Sequence, residues 1–353
     1  MPAALPRSPG AEAAARRDRP ARRPAVVASM AIADYPRGKG RHRFPPTHHG
    51  RGQGASVRHF ELDLWEGVEG ASKSSGRRSG DHPALSAYLL DGERERGTVL
   101  VIPGGAYAWV SPREAEPIAM RALASGRHAF VLRYSVAPAR WPAALLDAAR
   151  AMRLIREGAA DWRVSPSRVA VLGFSAGGHL AASLAFLGGL PPVRGAPGVG
   201  DCDTRPDALG LAYPVASSVE SAHRDSFANL LGRDPSGEDL AAQSLERRVP
   251  DDPPPLFLWH TAADESVPVR NSLLLAEAYA ARSFPFELHV FPRGGHGLAL
   301  ATAETATPER PPEPRVARWT ELFFSWLEET LPESPCRKAA DAEGGRPCSI
   351  PRK

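Results

Sequence analysis

The chain is poor in the residues that build metal centres and disulfide frameworks. Only three of its 353 residues are cysteines, Cys202, Cys336 and Cys348, and no two of them share a metal-ligand spacing. Neither a zinc site nor a disulfide-held fold is implied. No run of about 18 apolar residues occurs, so a soluble chain with no membrane span is expected. Internal repeats and sustained heptads are missing too, which leaves out a solenoid and a coiled coil. Charge of one sign is also lacking. Lys and Arg number 44 against 40 Asp and Glu, and many arginines of the +4 excess lie in the two ends. That excess reads as a property of tails and not as a nucleic-acid footprint.

What is present is an ordinary globular composition, 42% apolar and 24% charged, in a chain long enough to bury a full core. Residues 1–56 are rich in Pro, Arg, Gly and Ala without apolar periodicity, and residues 333–353 turn polar again. Both are expected to be disordered, leaving one folded domain over 57–332. His42, His48 and His49 fall in the first tail and read as solvated rather than metal-binding. A cytoplasmic location is expected. The alternatives are export on a short signal formed by Arg22-Arg23 and the stretch Ala25 to Ala33, or a true start at Met30.

Within the domain, β-prone runs alternate with helical patterns, the signature of an α/β fold with a mostly parallel sheet covered on both faces. Eight runs are expected as strands: Phe60 to Trp65, Leu85 to Leu90, Thr98 to Ile102, Ala129 to Tyr134, Arg168 to Phe174, Ala208 to Tyr213, Leu256 to Thr261 and Phe286 to Phe291. Between them, Leu145, Ala148, Ala149, Met152 and Ile155 share one helical face, with Asp147, Arg150 and Glu157 turned away from it. A last helix carries Val316, Trp319, Leu322, Phe323, Trp326 and Leu327 at helical spacing, read as core.

Gly173-Phe174-Ser175-Ala176-Gly177 is a G-x-S-x-G directly between a predicted strand and a predicted helix. A nucleophile held on a sharp strand-to-helix turn needs small neighbours, and this sequence supplies them. A serine hydroxyl needs a base, and the base needs a carboxylate that fixes its tautomer. Of the eleven histidines, His296 stands in a Gly-rich loop after the last strand, whereas His179 lies too close to the serine along its helix and His260 is inside a strand. Asp264 follows the seventh strand. Glu265 is its neighbouring rival, and Asp251 and Asp252 precede the strand at its wrong end. Ser175, Asp264 and His296 stand in the chain order this fold requires. Pro103-Gly104-Gly105-Ala106-Tyr107 follows the third strand, where backbone N–H groups of Gly105 and Ala106, with that of Ala176, would cradle an oxyanion.

These stretches, with Val131 to Tyr134, Trp141-Pro142-Ala143, Phe257 to Thr261, Asp264 to Pro268 and Phe291 to Leu298, resemble the α/β-hydrolase esterases. The similarity is to bacterial acetyl-xylan and feruloyl esterases, with features of the hormone-sensitive-lipase-like carboxylesterases. It covers roughly residues 57–332. It implies an α/β-hydrolase fold of about eight strands and hydrolysis of short-chain acyl esters, often on sugars, with no cofactor and no metal. One position departs from the pattern: Ala106 stands where the family usually has a third glycine, and it retains its N–H.

The expected partner is a small-molecule ester, with no nucleic acid and no membrane. Tyr107, Trp109, Trp141 and Tyr213 lie near sheet-edge loops as candidates to line the substrate pocket, with core packing as the competing role for each. Two other readings stay open. A serine peptidase of the same fold would use the same residues, and a non-catalytic binding protein would stand on the same scaffold.

Overall fold

Continuous apolar runs make strands that are buried on both faces, and here they assemble into one sheet. The computed structural model describes residues 56–68 and 82–333. Apart from Ser56 and Glu333, the expected tails lie outside the described residues, as do their histidines, the export signal, Met30, Cys336 and Cys348. Glu333, expected in the second tail, is instead held to the domain by Arg127 (2.9 Å) and the Gly97 N–H (2.7 Å), because its carboxylate pairs with a buried guanidinium. Cys202 is a free, half-buried thiol. Eight strands are present: β1 (Val57–Asp63), β2 (Ala84–Leu90), β3 (Arg96–Ile102), β4 (His128–Arg133), β5 (Val164–Phe174), β6 (Ala208–Ala212), β7 (Leu256–Thr261) and β8 (Phe286–Phe291). Their spatial order is β1-β2-β4-β3-β5-β6-β7-β8. β1 pairs with β2, and β2 with β4, antiparallel; every other neighbouring pair is parallel. The edge strand β1 alternates between exposed and half-buried residues, whereas β6 and β7 in the middle are buried throughout.

The helices are α1 (Glu116–Ala124), α2 (Ala143–Glu157), α3 (Ala159–Trp162), α4 (Ser175–Leu187), α5 (Arg224–Leu231), α6 (Gly237–Ala242), α7 (Arg270–Ala280), α8 (Pro314–Ala317) and α9 (Trp319–Thr330). Because side chains alternate across a strand, Val99 and Val101 face one core with Ile118 and Ala122 of α1 and with Trp319, Phe323 and Leu327 of α9. Trp319 stacks on Trp259 of β7, ring centroids 5.1 Å apart. Each such fully buried side chain contributes about 1.5–3 kcal/mol. Helices α2 and α4 pack against each other and onto β5.

The predicted inner face of α2 is buried and Glu157 is exposed, as expected, but two residues of the polar face are not open to solvent. Asp147 and Arg150 are both buried. Asp147 accepts hydrogen bonds from Trp65 Nε1 (2.7 Å) and from the Ser135 N–H (2.6 Å), and Arg150 donates to the carbonyls of Leu64 and Gly198. Loop chain laid over this face brings its own polar groups, which helical periodicity cannot reveal.

The sheet positions the site through its connectivity. From β3 the chain runs outward to β4, then crosses back to β5 on the other side of β3. The strand order therefore reverses between β3 and β5, and the crevice beyond their carboxyl ends is where open α/β sheets bind ligands.

Candidate active site

Ser175 is the first residue of α4, directly after β5, and lies at the β3/β5 crevice. Its φ of 52° is left-handed, a costly conformation for a residue with a side chain. The tightness of the turn has a steric origin on both sides. A Cβ on Gly177 would collide with the carbonyl oxygens of Ile102 and Pro103 at the end of β3, so only glycine fits there. Ser175 itself remains 8% exposed, enough for its hydroxyl to reach the crevice.

The loop after β8 brings His296 to that hydroxyl. Nε2 of His296 lies 2.7 Å from Ser175 Oγ, and Nδ1 lies 2.6 Å from Asp264 Oδ2. This fits an imidazole that donates Nδ1–H to the carboxylate and accepts the serine O–H at Nε2. Two guanidiniums clamp the loop: Arg310 Nε donates to the His296 carbonyl (2.9 Å) and Arg113 to the Gly297 carbonyl (2.8 Å). Asp264 sits just beyond β7 with its side chain fully buried. Its Oδ1 accepts from the N–H groups of Ser266 and Val267, and His260 Nε2 stands 3.4 Å from Oδ2. Burial pushes this carboxyl group up, but hydrogen bonds to His260 and His296, the charge of His296 and the Val267 N–H outweigh it and hold it well below the usual carboxylate range. The carboxylate is thus ionised wherever the protein is folded near neutral pH. Glu265, Asp251 and Asp252 point into solvent and belong to no such arrangement.

The loop after β3 presents its backbone to the same place. Gly105 (φ 129°) and Ala106 (φ 53°) turn it sharply. Among the described residues, neither of their N–H groups has a hydrogen-bond acceptor. Ala176, in the first turn of α4, likewise has no partner one helical turn back. The Ala106 carbonyl is held from outside by Asn229 Nδ2 of α5 (2.9 Å).

Of the four candidate lining residues, Tyr107 and Tyr213 are only 2% exposed and their hydroxyls are engaged within the protein. Tyr107 Oη bonds His179 Nδ1 (2.9 Å), and His179 reaches the Gln243 carbonyl through Nε2. Tyr213 Oη donates to Glu114 Oε1 (2.7 Å) and accepts from the Ala299 N–H (3.0 Å), while its ring meets the His296 ring edge-on at 5.1 Å. These two tyrosines take the packing role. Trp109, 54% exposed, and the half-buried Trp141 keep open faces. His260 bonds Ser272 Oγ and the Val267 carbonyl, which ties Asp264's loop to α7.

Several residues of the site carry no motif. Glu114 is buried against the loop after β3, and Ser111-Pro112-Arg113-Glu114 has the S-x-x-E spacing of a helix capping box. That disguise is false, since Ser111 makes no side-chain cap and the carboxylate points inward. His223, before α5, lies near His296 and Asp264. Burial and the nearby His296 push it down, with Asp225 and Asp264 opposing. Nothing in its local sequence marks it. Among the described residues no group of three or more His, Cys, Asp or Glu is arranged to hold a metal ion, and no helix is long and apolar enough to cross a membrane.

Known proteins share both sequence and fold with the chain. It is 38% identical over 255 residues to endo-1,4-beta-xylanase B of Butyrivibrio fibrisolvens, a match covering 70% of this chain and 39% of that protein. An acetylxylan esterase of Xylanibacter ruminicola is 25% identical over 241 residues, 66% of this chain and 47% of its own length. The chain thus spans less than half the length of these two relatives. The crystal structure of an acetyl ester-xyloside bifunctional hydrolase from Caldicellulosiruptor lactoaceticus is 37% identical with a TM-score of 0.67, covering 76% of this chain and 96% of that one. Residues 99–299, more than half of the chain, match a family described by the alpha/beta hydrolase fold. From the strand order, the serine turn and this match together, the chain belongs to the α/β-hydrolase family.

Proposed function

We propose that the chain is a serine carboxylic-ester hydrolase working through an acyl-enzyme, with Ser175 as nucleophile, His296 as general base and acid, and Asp264 as the carboxylate that orients it. The observation that carries this reading is the unbroken hydrogen-bonded path Oγ–Nε2 at 2.7 Å and Nδ1–Oδ2 at 2.6 Å. His296 takes the Ser175 proton as Oγ attacks the ester carbonyl, and the developing oxyanion is met by the N–H groups of Gly105, Ala106 and Ala176. The C–O bond to the leaving alcohol breaks as His296 returns the proton to it. A water then loses a proton to His296 and attacks the acyl carbon, Ser175 recovers its proton, and the carboxylic acid leaves.

Short acyl groups on carbohydrate are the proposed substrates. Support comes from the relatives named as an acetylxylan esterase and as an acetyl ester-xyloside hydrolase. Xylanase action is not carried over from the Butyrivibrio protein, since the match covers 39% of it. Glycoside hydrolysis, moreover, calls for a pair of carboxyl groups flanking the bond, whereas the set at this crevice is Ser–His–Asp. The test is a series of p-nitrophenyl esters from acetyl to octanoyl, with acetate release from acetylated xylo-oligosaccharides measured beside it. Turnover is expected to fall at least about tenfold from acetyl to octanoyl, since a small pocket separates acyl lengths by roughly 1–3 kcal/mol per methylene at most. A flat profile, or amide turnover as fast as ester turnover, contradicts this substrate class.

A further inference from the structure

The buried carboxyl group of Glu114 makes no hydrogen bond to Ser175, His296 or Asp264, yet it joins the loops that surround them. Its Oε2 accepts the Gly104 N–H at 2.8 Å, and its Oε1 accepts the Tyr213 hydroxyl at 2.7 Å. Gly104 is the residue before the free N–H groups of Gly105 and Ala106. Its carbonyl also takes the Ser111 N–H (2.9 Å), so both polar groups of Gly104 are fixed from Ser111 and the short helical turn Pro112–Glu114 that follows it. On the other side, Tyr213 passes the connection on: its hydroxyl accepts the Ala299 N–H (3.0 Å) three residues after His296, and its ring lies edge-on to the imidazole at 5.1 Å. The same turn holds the histidine loop a second time through Arg113, which donates to the Gly297 and Thr305 carbonyls.

The space between Glu114 and the Ser175 turn is tight. A Cβ on Gly104 would come within 2.9 Å of Glu114 Oε2 and within 2.8 Å of Ser175 Cβ and the Phe174 carbonyl. Gly104 is pressed between the carboxylate and the nucleophile's own turn. The segments after β3 and β6 therefore meet on the Glu114 carboxylate, and the loop after β8 joins them through the Tyr213 hydroxyl. A carboxylate suits that place because it offers two acceptors and no donor, and both incoming groups are donors.

We propose that Glu114 is a positioning residue that sets the distance between the oxyanion donors and the base, holding Gly105 and Ala106 against the Ser175–His296 pair. The inference rests on the esterase reading. Oxyanion stabilisation demands donors already aimed when charge develops, so a loosened Gly104 weakens the transition state while leaving ground-state binding almost untouched.

The test compares wild type, Glu114→Gln, Tyr213→Phe and the double variant. The readouts are kcat and KM on p-nitrophenyl acetate and affinity for phenylboronic acid, whose serine adduct is a tetrahedral anion. In Glu114→Gln the amide NH2 must face one of the two donors. Its kcat is expected to fall about 10–100-fold, KM to stay within about threefold, and phenylboronic acid affinity to drop in step with kcat/KM. The double variant is expected to lose little beyond the worse single one, because both changes cut the same connection. A folded Glu114→Gln with wild-type kcat and boronate affinity, however much less heat-stable, overturns the proposal and makes Glu114 a structural group only. Should that variant fail to fold, Tyr213→Phe carries the test: an approximately tenfold lower kcat at unchanged KM supports the proposal, and an unchanged kcat overturns it. Wild type that turns over no ester is a separate result, which removes the esterase reading and the proposal with it.

Discussion

At Ser175 the backbone and the side chain answer to different demands. Its left-handed φ of 52° is unfavourable for the chain but lifts the hydroxyl out of a turn that is otherwise closed by Gly177 and the end of β3. Ala106, at φ 53°, bears a similar cost in the loop opposite. A glycine, usual there in the esterases this sequence resembles, relieves roughly 1–2 kcal/mol of left-handed strain and forfeits about 0.5–1 kcal/mol of chain entropy. Ala106→Gly is therefore expected to raise stability by about 0.5–1 kcal/mol, read by urea denaturation, with ester turnover within about threefold of wild type because the N–H is the same. A loss of stability of 1 kcal/mol or more contradicts this account of the loop. The three residues Ser175, Asp264 and His296 were legible in the sequence because each follows a β-prone run and is flanked by small or turn-forming residues. Glu114, by contrast, drew no reading from the sequence, and Tyr213 was marked only as a candidate lining residue by its place near a sheet-edge loop. Neither residue stands in a short pattern that signals its place here, because what matters is which distant loops their polar atoms meet.

Elements place these residues by close approach as much as by pairing. Helix α4 starts hard against the carboxyl end of β3, and Gly177 is the contact. Adding one methyl group there drives the helix start into the carbonyls of Ile102 and Pro103, which head the loop after β3. Gly177→Ala is expected to cost about 2–3 kcal/mol and to lower ester turnover more than tenfold; calorimetry and p-nitrophenyl acetate kinetics on the same preparation check both. All eight expected runs overlap strands β1 to β8; the inner parallel strands were readable because strands buried on both faces are continuously apolar, and the outer β1 and β8 because they are rich in β-prone residues such as Val and Phe. Two residues on the polar face of α2 were misread for an equally physical reason, while Glu157 is exposed as expected. Hydropathy assigns Asp147 and Arg150 to water, while Trp65, Ser135, Leu64 and Gly198 supply hydrogen-bond partners from segments far away in the chain.

Across the whole molecule, buried imidazoles set the acid limit of stability. His128, whose Nδ1 accepts the Leu90 N–H, and His179, between Tyr107 and the Gln243 carbonyl, are both pushed down to about 4 by burial, with the backbone bonds to Arg163 and Gln243 opposing. Both are neutral in the fold and become protonated on unfolding once the pH is below about 6.5. Their contribution is fully present above that pH and is lost as pH falls from 6.5 towards 4, about 3 kcal/mol each at the low end. Asp264, held below the usual carboxylate range, adds stability that is present above that range and lost at still lower pH. Unfolding near pH 5 is accordingly expected to take up about two protons, measurable by calorimetry in buffers of different ionisation heat; no uptake contradicts the buried, neutral state of these rings. The central claim is that the sheet's carboxyl edge assembles one acyl-transfer centre from residues 121 positions apart at their widest. The most direct measurement is p-nitrophenyl acetate turnover by wild type and Ser175→Ala at pH 7.5: a loss of at least about a thousandfold is predicted, and equal rates in the two proteins would contradict the claim.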